Sequence, residues 1–488
     1  MICHHLAVAL TLFNLMHMMV QSILETLHYN SKNYQIMKTR LLITIKNERI
    51  MKNYQIFVMS ILLSAGMMTG CSHDDEMAKE PEIVTPSQEE IKNNDDPQVN
   101  TEDNTELTRT IELTEEQKSA VGKNNDFAFN YYRQLAQLSD LKDKSFVTSP
   151  LSVTYAMGML NDGAKGATAE EITKMLGFEG GSSKDVNELC MKLIKEAPMV
   201  DEKVVLKLAD CIVTNYGTDL YEQYQKNMAD YYKSEVFNMD FAQRSTIDFI
   251  NDWCNKQTEG MIKDIIDELS PEARIVLMNA IYFRAVWSGK FSEENTKYEP
   301  FTAEDGQVKQ VAMMHKEDAV EYTNNNIYST IGLPYGNGKN WRMYVLLPNA
   351  GKTVADILAG LTNNSWSKNV ERMYGQKIDV KLPRFKTESE LGLNDVIRSL
   401  GAPTIFSGKA DFSAMSSESL FVSLIKQKAA IEVSEDGTEA SAVTIVKMDL
   451  TIGDDVTTPT FHADHPFVYL IQEASSGAIF FIGTYQGN

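Results

Sequence analysis

"EDGTEASAVTIVKMDLTIGDD" occupies residues 435–455, close to the C-terminus. It opens on a Gly-Thr pair and small residues, then alternates apolar and polar as a strand does. It closes on Gly453, Asp454 and Asp455 with no tight turn to a partner strand. Side chains of a strand point alternately to its two faces. From Thr438, one face carries Thr438, Ala440, Ala442, Thr444, Val446, Met448 and Leu450, small or apolar and suited to a core. The other carries Glu439, Ser441, Val443, Ile445, Lys447, Asp449 and Thr451, mostly polar and suited to solvent. No proline interrupts residues 435–451, and a proline would remove a ladder hydrogen bond from a central strand. The pattern is that of a strand without a place in a sheet. An ordinary edge strand is the other reading.

At 488 residues the chain is long enough for one large domain or two ordinary ones. A formal net charge of -21 argues against a nucleic-acid partner, which needs a basic face. Much of the excess sits in residues 71–110, where twelve acidic residues meet three basic ones and few large apolar ones. Such a composition cannot bury enough surface to fold alone, so residues 71–111 read as a solvated acidic tether.

The tether follows "MKNYQIFVMSILLSAGMMTGC", residues 51–71. Lys52 supplies a positive start, an apolar run follows, and small residues lead into Cys71, as in a secretory signal too short for a comfortable membrane span. The ending Met68-Thr69-Gly70-Cys71 resembles a bacterial lipobox, whose cysteine is lipidated and becomes the mature N-terminus. The acidic "SHDDE" after it is similar to surface-export signals of Bacteroidota lipoproteins. Residues 1–50 read as an upstream extension, with Met51 the true start. Cys190, Cys211 and Cys254 remain in the folded part, an odd number without a CxxC, and read as buried free thiols.

From about residue 112 to 488 the chain looks continuously globular. Phe127, Tyr131, Leu135 and Leu138 form a helical stripe. "SPLSVTYAMGML" reads as a buried helix starting near Pro150, and Thr168 with Glu171 as the capping box of a helix ending around Gly177. Strands follow: "VLMNAIYF", "WRMYVLLP", "KIDVKLPRF", "LFVSLI", "AAIEV", "HPFVYLIQE" and "GAIFFIGTY". Helices mostly first and strands mostly later make an α+β arrangement.

Enzyme signatures fail one by one. "NAGKTVADIL" sits like a phosphate loop but has Leu346 where the first glycine belongs, so it reads as strand, turn and helix. "SLIK" at residues 423–426 lies in an alternating apolar run and lacks the companion Lys-Thr-Gly. His462 and His465 have no accompanying ligand set and read as structural. The expectation is a chain that is not an enzyme and takes no metal and no cofactor.

The opening stretch, followed by "FHADHPFVYLI", resembles the hinge and post-loop strand of the serpins. "FVTSPLSV", "GAKGATAEEI", "INDWCNKQTEGMIKDII", "LMNAIYFRAVWSGKF", "IGLPYG", "VLLPN", "VKLPRFKTESELGL" and "ADFSAM" match serpin blocks in serpin order, over residues 124–486. The resemblance implies three β-sheets, about nine helices and an exposed reactive loop that baits a protease. The protease forms an acyl-enzyme with the loop, and the cut loop inserts into the large sheet as a new central strand.

By the same resemblance, Glu435, Gly437, Thr438, Glu439, Ala440, Ser441 and Ala442 form the hinge. Ser149, Ser152 and Asn279 match the shutter beneath the opening sheet, and Trp287 matches the breach where insertion starts. Gln427 stands where many serpins have histidine; it still donates and accepts hydrogen bonds. In typical inhibitory members the cut follows the seventeenth residue counted from the hinge glutamate, which gives the bond Thr451-Ile452, with Leu450, Lys447 and Met448 as alternatives. The expected partner is a serine protease held as a covalent acyl complex, with a membrane contact through the Cys71 lipid alone, a monomeric state and an outer-membrane location. A non-inhibitory binding protein on the same fold, or a surface scaffold, are the competing readings.

Overall fold

The structure, a computed structural model, describes residues 109–438 and 458–488, all within one compact unit spanning Thr101–Asn488. Cys71, the signal, most of the tether and the loop residues Glu439, Ala440, Ser441, Ala442, Lys447, Met448, Leu450, Thr451 and Ile452 lie outside the described residues.

Nine α-helices occur among the described residues: α1 (Glu115–Leu135), α2 (Pro150–Gly163), α3 (Gly166–Leu176), α4 (Ser183–Glu196), α5 (Glu222–Tyr232), α6 (Arg244–Gln257), α7 (Val354–Gly360), α8 (Asn363–Glu371) and α9 (Asn394–Ser399). Thr114 and Gln117 cap α1 reciprocally and so satisfy donors the first turn leaves open. Phe127, Tyr131 and Leu135 of the expected stripe are buried, while Leu138 lies beyond the helix end and is exposed. α2 is buried nearly all round and packs on both sheets, as an almost wholly apolar helix must.

The capping box expected at Thr168 and Glu171 does not form, because α3 starts earlier, at Gly166. Thr168 instead accepts from the Asp411 N–H at 3.0 Å, and Glu171 accepts from the Thr404 N–H and hydroxyl at 3.0 and 2.6 Å. Long-range partners took those side chains over. Gly177 does end the helix, in the left-handed conformation.

Among the described residues there are fifteen strands, in chain order: β1 (Phe146–Thr148), β2 (Val204–Asn215), β3 (Glu235–Met239), β4 (Ile275–Val286), β5 (Lys297–Thr302), β6 (Val308–Asn324), β7 (Tyr328–Tyr335), β8 (Trp341–Pro348), β9 (Tyr374–Pro383), β10 (Phe385–Gly392), β11 (Val422–Val433), β12 (Gly437–Thr438), β13 (Thr460–His462), β14 (Phe467–Glu473) and β15 (Ile479–Tyr485). "LFVSLI" and "AAIEV" are thus halves of one strand, β11.

One ladder runs β10-β11-β4-β2-β3, with β12 added to β4. The other runs β1-β15-β14-β8-β7-β6-β9-β13, with β5 on β6. Long β6 pairs with β9 over residues 313–322 and with β7 over residues 321–324, so two sheets meet in a single strand. That hand-over is how three sheets become two continuous ladders.

A large apolar cluster fills the space between the sheets and most helices; a smaller one lies between α6 and the other face of β2 and β4. β4 is therefore covered on both faces, and ten of its twelve residues are buried. Cys190, Cys211 and Cys254 are buried free thiols.

Candidate functional site: a parallel strand pair with a seated hinge

β4 and β11 lie side by side and run parallel, with Gln427 opposite Asn279 and Ala429 opposite Ile281. Two parallel neighbours can each accept hydrogen bonds from a strand that runs antiparallel to both. β12 starts such a strand. After β11 the chain turns at Ser434–Gly437 and comes back, pairing Gly437 with Val286 and Thr438 with Ala285, antiparallel to β4.

The turn is held from several sides. The Trp287 indole N–H donates to the Ser434 carbonyl at 2.9 Å, and its ring stacks on Tyr335 with centroids 4.2 Å apart. The Tyr335 hydroxyl reaches the buried Thr438 hydroxyl at 3.0 Å. Lys290 pairs with Asp436 at 2.7 Å. Glu435 is buried and takes hydrogen bonds from Thr296, at 2.6 Å, and from Arg384. Burial pushes its carboxyl up, but those two donors outweigh burial and hold it below the usual range, ionised. Gly437 has a φ of 139°, and a Cβ there would stand 2.2 Å from the Ala285 carbonyl oxygen, so no side chain fits.

Below the hinge, a buried polar network crosses the line between β4 and β11. The Gln427 amide donates to the Ser149 carbonyl at 3.0 Å and to Asn279 Oδ1 at 2.7 Å. Its oxygen accepts from the Ser149 N–H at 3.1 Å and from the Thr148 hydroxyl. Asn279 Nδ2 donates to Ser152, at its carbonyl and hydroxyl, and to Asp210 Oδ1. Ser149 caps α2 by accepting from the Ser152 N–H at 3.2 Å. The structure thus brings Ser149, Ser152, Asn279 and Gln427 together in one network, and Trp287, Glu435, Gly437 and Thr438 together above it.

Sequence reading missed Asp210, Tyr335, Arg384 and Thr296. Asp210 had a signal: it is a lone acid in the apolar run "VLKLADCIV" and proves to be buried on β2, directly opposite Asn279. The other three are brought in by pairings distant in sequence and carried none.

The decoys take structural roles. Residues 349–353 form the turn between β8 and α7, where Thr353 and Asp356 make a capping box. Ser423 sits in β11 and accepts from the Arg274 N–H at 2.9 Å. His462 and His315 both contact Asp379, at 2.9 and 2.6 Å, and His465 contacts the Pro348 carbonyl at 3.0 Å. Among the described residues no group of three His, Cys, Asp or Glu is placed to hold a metal ion.

The arrangement is a ladder with two parallel neighbours and a short strand seated antiparallel on one of them. Residues 122–486 match the family model described as serpin (serine protease inhibitor), and the chain belongs to that family. It is 32% identical to serpin B6 of Pongo abelii over 74% of this chain and 97% of the relative. A serpin-like protein of Thermococcus kodakarensis is also 32% identical, over 75% of this chain and 85% of its own length. Among solved structures, the thermophilic serpin tengpin in its native state aligns with a TM-score of 0.70 at 27% identity, covering 78% of this chain and 96% of tengpin. Human thyroxine-binding globulin complexed with its hormone aligns equally well, at 0.70 and 26%, over 75% of this chain and 98% of the globulin.

The expectation of a chain that is simply not an enzyme is corrected here. It rested on missing catalytic motifs. The match to a serine protease inhibitor family overturns it as a description, because inhibitory members enter a protease's chemistry as suicide substrates.

Gln427→Ala should strip buried groups of Ser149 and Asn279 of their partners. The uncleaved protein should lose roughly 3 kcal/mol or more, at about 1–3 kcal/mol for each buried group left unpaired. Thermal unfolding checks this, and a midpoint equal to the parent's would refute the network's role.

Proposed function

We propose that this chain is an inhibitory serpin that traps a serine protease irreversibly. The observation that carries the reading is the hinge, with Gly437 and Thr438 already paired antiparallel to β4. The protease's serine oxygen attacks the Thr451 carbonyl carbon. The peptide bond to Ile452 breaks, the Ile452 nitrogen leaves as a protonated amine, and an ester joins the loop to the enzyme. Continuing the seated pairing one residue at a time takes the loop down the β4–β11 line and carries the acylated enzyme away before water can hydrolyse the ester.

The same fold also serves a hormone-bound relative, thyroxine-binding globulin, so the fold alone does not select inhibition. Hinge chemistry separates the two readings. Small residues and no proline favour insertion. Thr is small and β-branched, which suits a shallow elastase-like pocket; a cut after Leu450 would suit chymotrypsin-like or subtilisin-like enzymes, and papain-like cysteine proteases could use the same loop.

The N-terminal pattern supports a lipid on Cys71 and a Bacteroidota-type outer-membrane lipoprotein, facing outward. The acidic tether would hold a monomeric inhibitor off the surface, guarding the envelope from arriving proteases.

Three outcomes are expected. The parent forms an SDS-stable adduct with an elastase-like protease, whereas Thr438→Arg, which drives a charge into the buried site beside Tyr335, is cleaved without forming it. Equal adduct from both proteins would sink the insertion reading. Mass spectrometry of the peptide released from the complex gives an N-terminus at Ile452; one at Met448 refutes the assigned bond. Cys71→Ala leaves the membrane fraction, and a variant as membrane-bound as the parent excludes the anchor.

A further inference from the structure

Asp210 is buried on β2 and stands opposite Asn279 across the antiparallel β2–β4 pair. Its Oδ1 accepts from Asn279 Nδ2, the same nitrogen that holds Ser152 of α2, while Asn279 Oδ1 accepts from Gln427 of β11. A single carboxyl is therefore joined to the polar network across the line where the sheet would part. We propose that Asp210 positions Asn279 and so sets how readily β4 and β11 separate, and that it holds the sheet closed only while it carries a proton.

Beyond the Asn279 hydrogen bond, the described residues around Asp210 put no positive charge against its carboxyl. α2 presents Tyr155, α4 presents Cys190, and Cys211 follows on its own strand; burial raises all three well above their usual ranges, so they stay neutral. β4 contributes the uncharged amide of Asn279. A cavity of about 230 Å³ alongside adds Tyr232 and Lys233 from the end of α5, Glu235 of β3 and Lys207, with α6 supplying Trp253 and Gln257. Lys207 points to the opposite face of β2 and is paired with Glu259 at 2.9 Å. Among the described residues neither lysine contacts the Asp210 carboxylate.

Burial pushes the Asp210 carboxyl up to about 7, against an ordinary value of 3.8, with the Asn279 hydrogen bond opposing. The folded chain then binds this proton more tightly than the unfolded chain. The stabilisation is complete below about pH 4 and is lost as pH rises through about 7. An ionised Asp210 would be a buried charge with no cation against it; its bond from the Asn279 N–H would tighten, but the cost of the buried charge would fall on the closed sheet and be relieved where the sheet parts and admits water.

The test compares parent and Asp210→Asn, whose amide stays neutral and keeps the shape. Heat-induced conversion of the full chain is followed at about pH 6 and about pH 8.5. The parent should convert up to about tenfold faster at the higher pH, the factor by which the proton is held at pH 6. Asp210→Asn should convert slowly at both. A merely structural role would change both rates equally, and retention of the parent's pH dependence in the variant overturns the proposal.

If the variant does not fold, infrared titration of the parent's protonated carboxyl band decides. A buried carboxyl losing its proton near neutral pH supports the proposal, and none left protonated at pH 6 overturns it. The proposal rests on reading this sheet as the one that parts, but neither readout needs a protease. Loss of the pH dependence in Asp210→Asn together with no adduct at any pH would refute inhibition and leave Asp210's role intact.

Discussion

β4 and β11 are parallel neighbours in the middle of a ladder whose other pairs are mostly antiparallel, and the rest of the molecule is arranged around that pair. Parallel neighbours need a long crossover. Here the crossover carries β5 to β9 of the second ladder and β10 of the first, so β4 and β11 are joined by nothing local in the chain. A strand laid between them can run antiparallel to both; β2 and β3 are also parallel neighbours, but only β4 carries the start of such a strand among the described residues. β12 has already begun it, with Gly437 and Thr438 in place.

Besides the backbone ladder and the apolar cores on its two faces, the pair is tied at one level by a directional polar network. Gln427 spends its donors and acceptor on Ser149, Thr148 and Asn279, and Asn279 spends its own on Ser152 and Asp210. Such a network is stable when complete and costly when half broken, because each orphaned group is buried. At the upper end, Glu435 with Arg384 and Lys290 with Asp436 fix the turn from which any further strand must feed.

Much of this was legible in the sequence because it is local. Strong alternation and apolar runs marked β4, β8, β9, β11, β14 and β15, and the buried helix α2 announced itself by a mostly apolar stretch behind Pro150. The hinge and network residues were found through resemblance, not through pattern. Failures came where distant partners compete with local ones. Thr168 and Glu171 have the spacing of a cap but are used by Asp411 and Thr404. Tyr335 and Thr438 are brought together across 103 positions, and no window of sequence carries that meeting.

The expectation of a solvent face on the loop's second side meets one feature of β4 that bears on the proposed insertion: both faces of that strand have a core behind them. Along β4, Ile275, Leu277, Ile281, Phe283 and Ala285 belong to the large cluster, whereas Val276, Met278 and Ala280 belong to the smaller cluster beneath α6. Under the proposed insertion, continuing the seated register would set Ala440, Ala442 and Thr444 opposite Phe283, Ile281 and Asn279, on the side of the large core. Glu439 would then stand opposite the exposed Arg284, opposite charges across strands. Val443 and Ile445 would stand opposite Ala280 and Met278, on the side of α6. On an exposed face those two residues look out of place. Between two covered faces they would suit the smaller core, and the bulk of α6 would limit what can stand there.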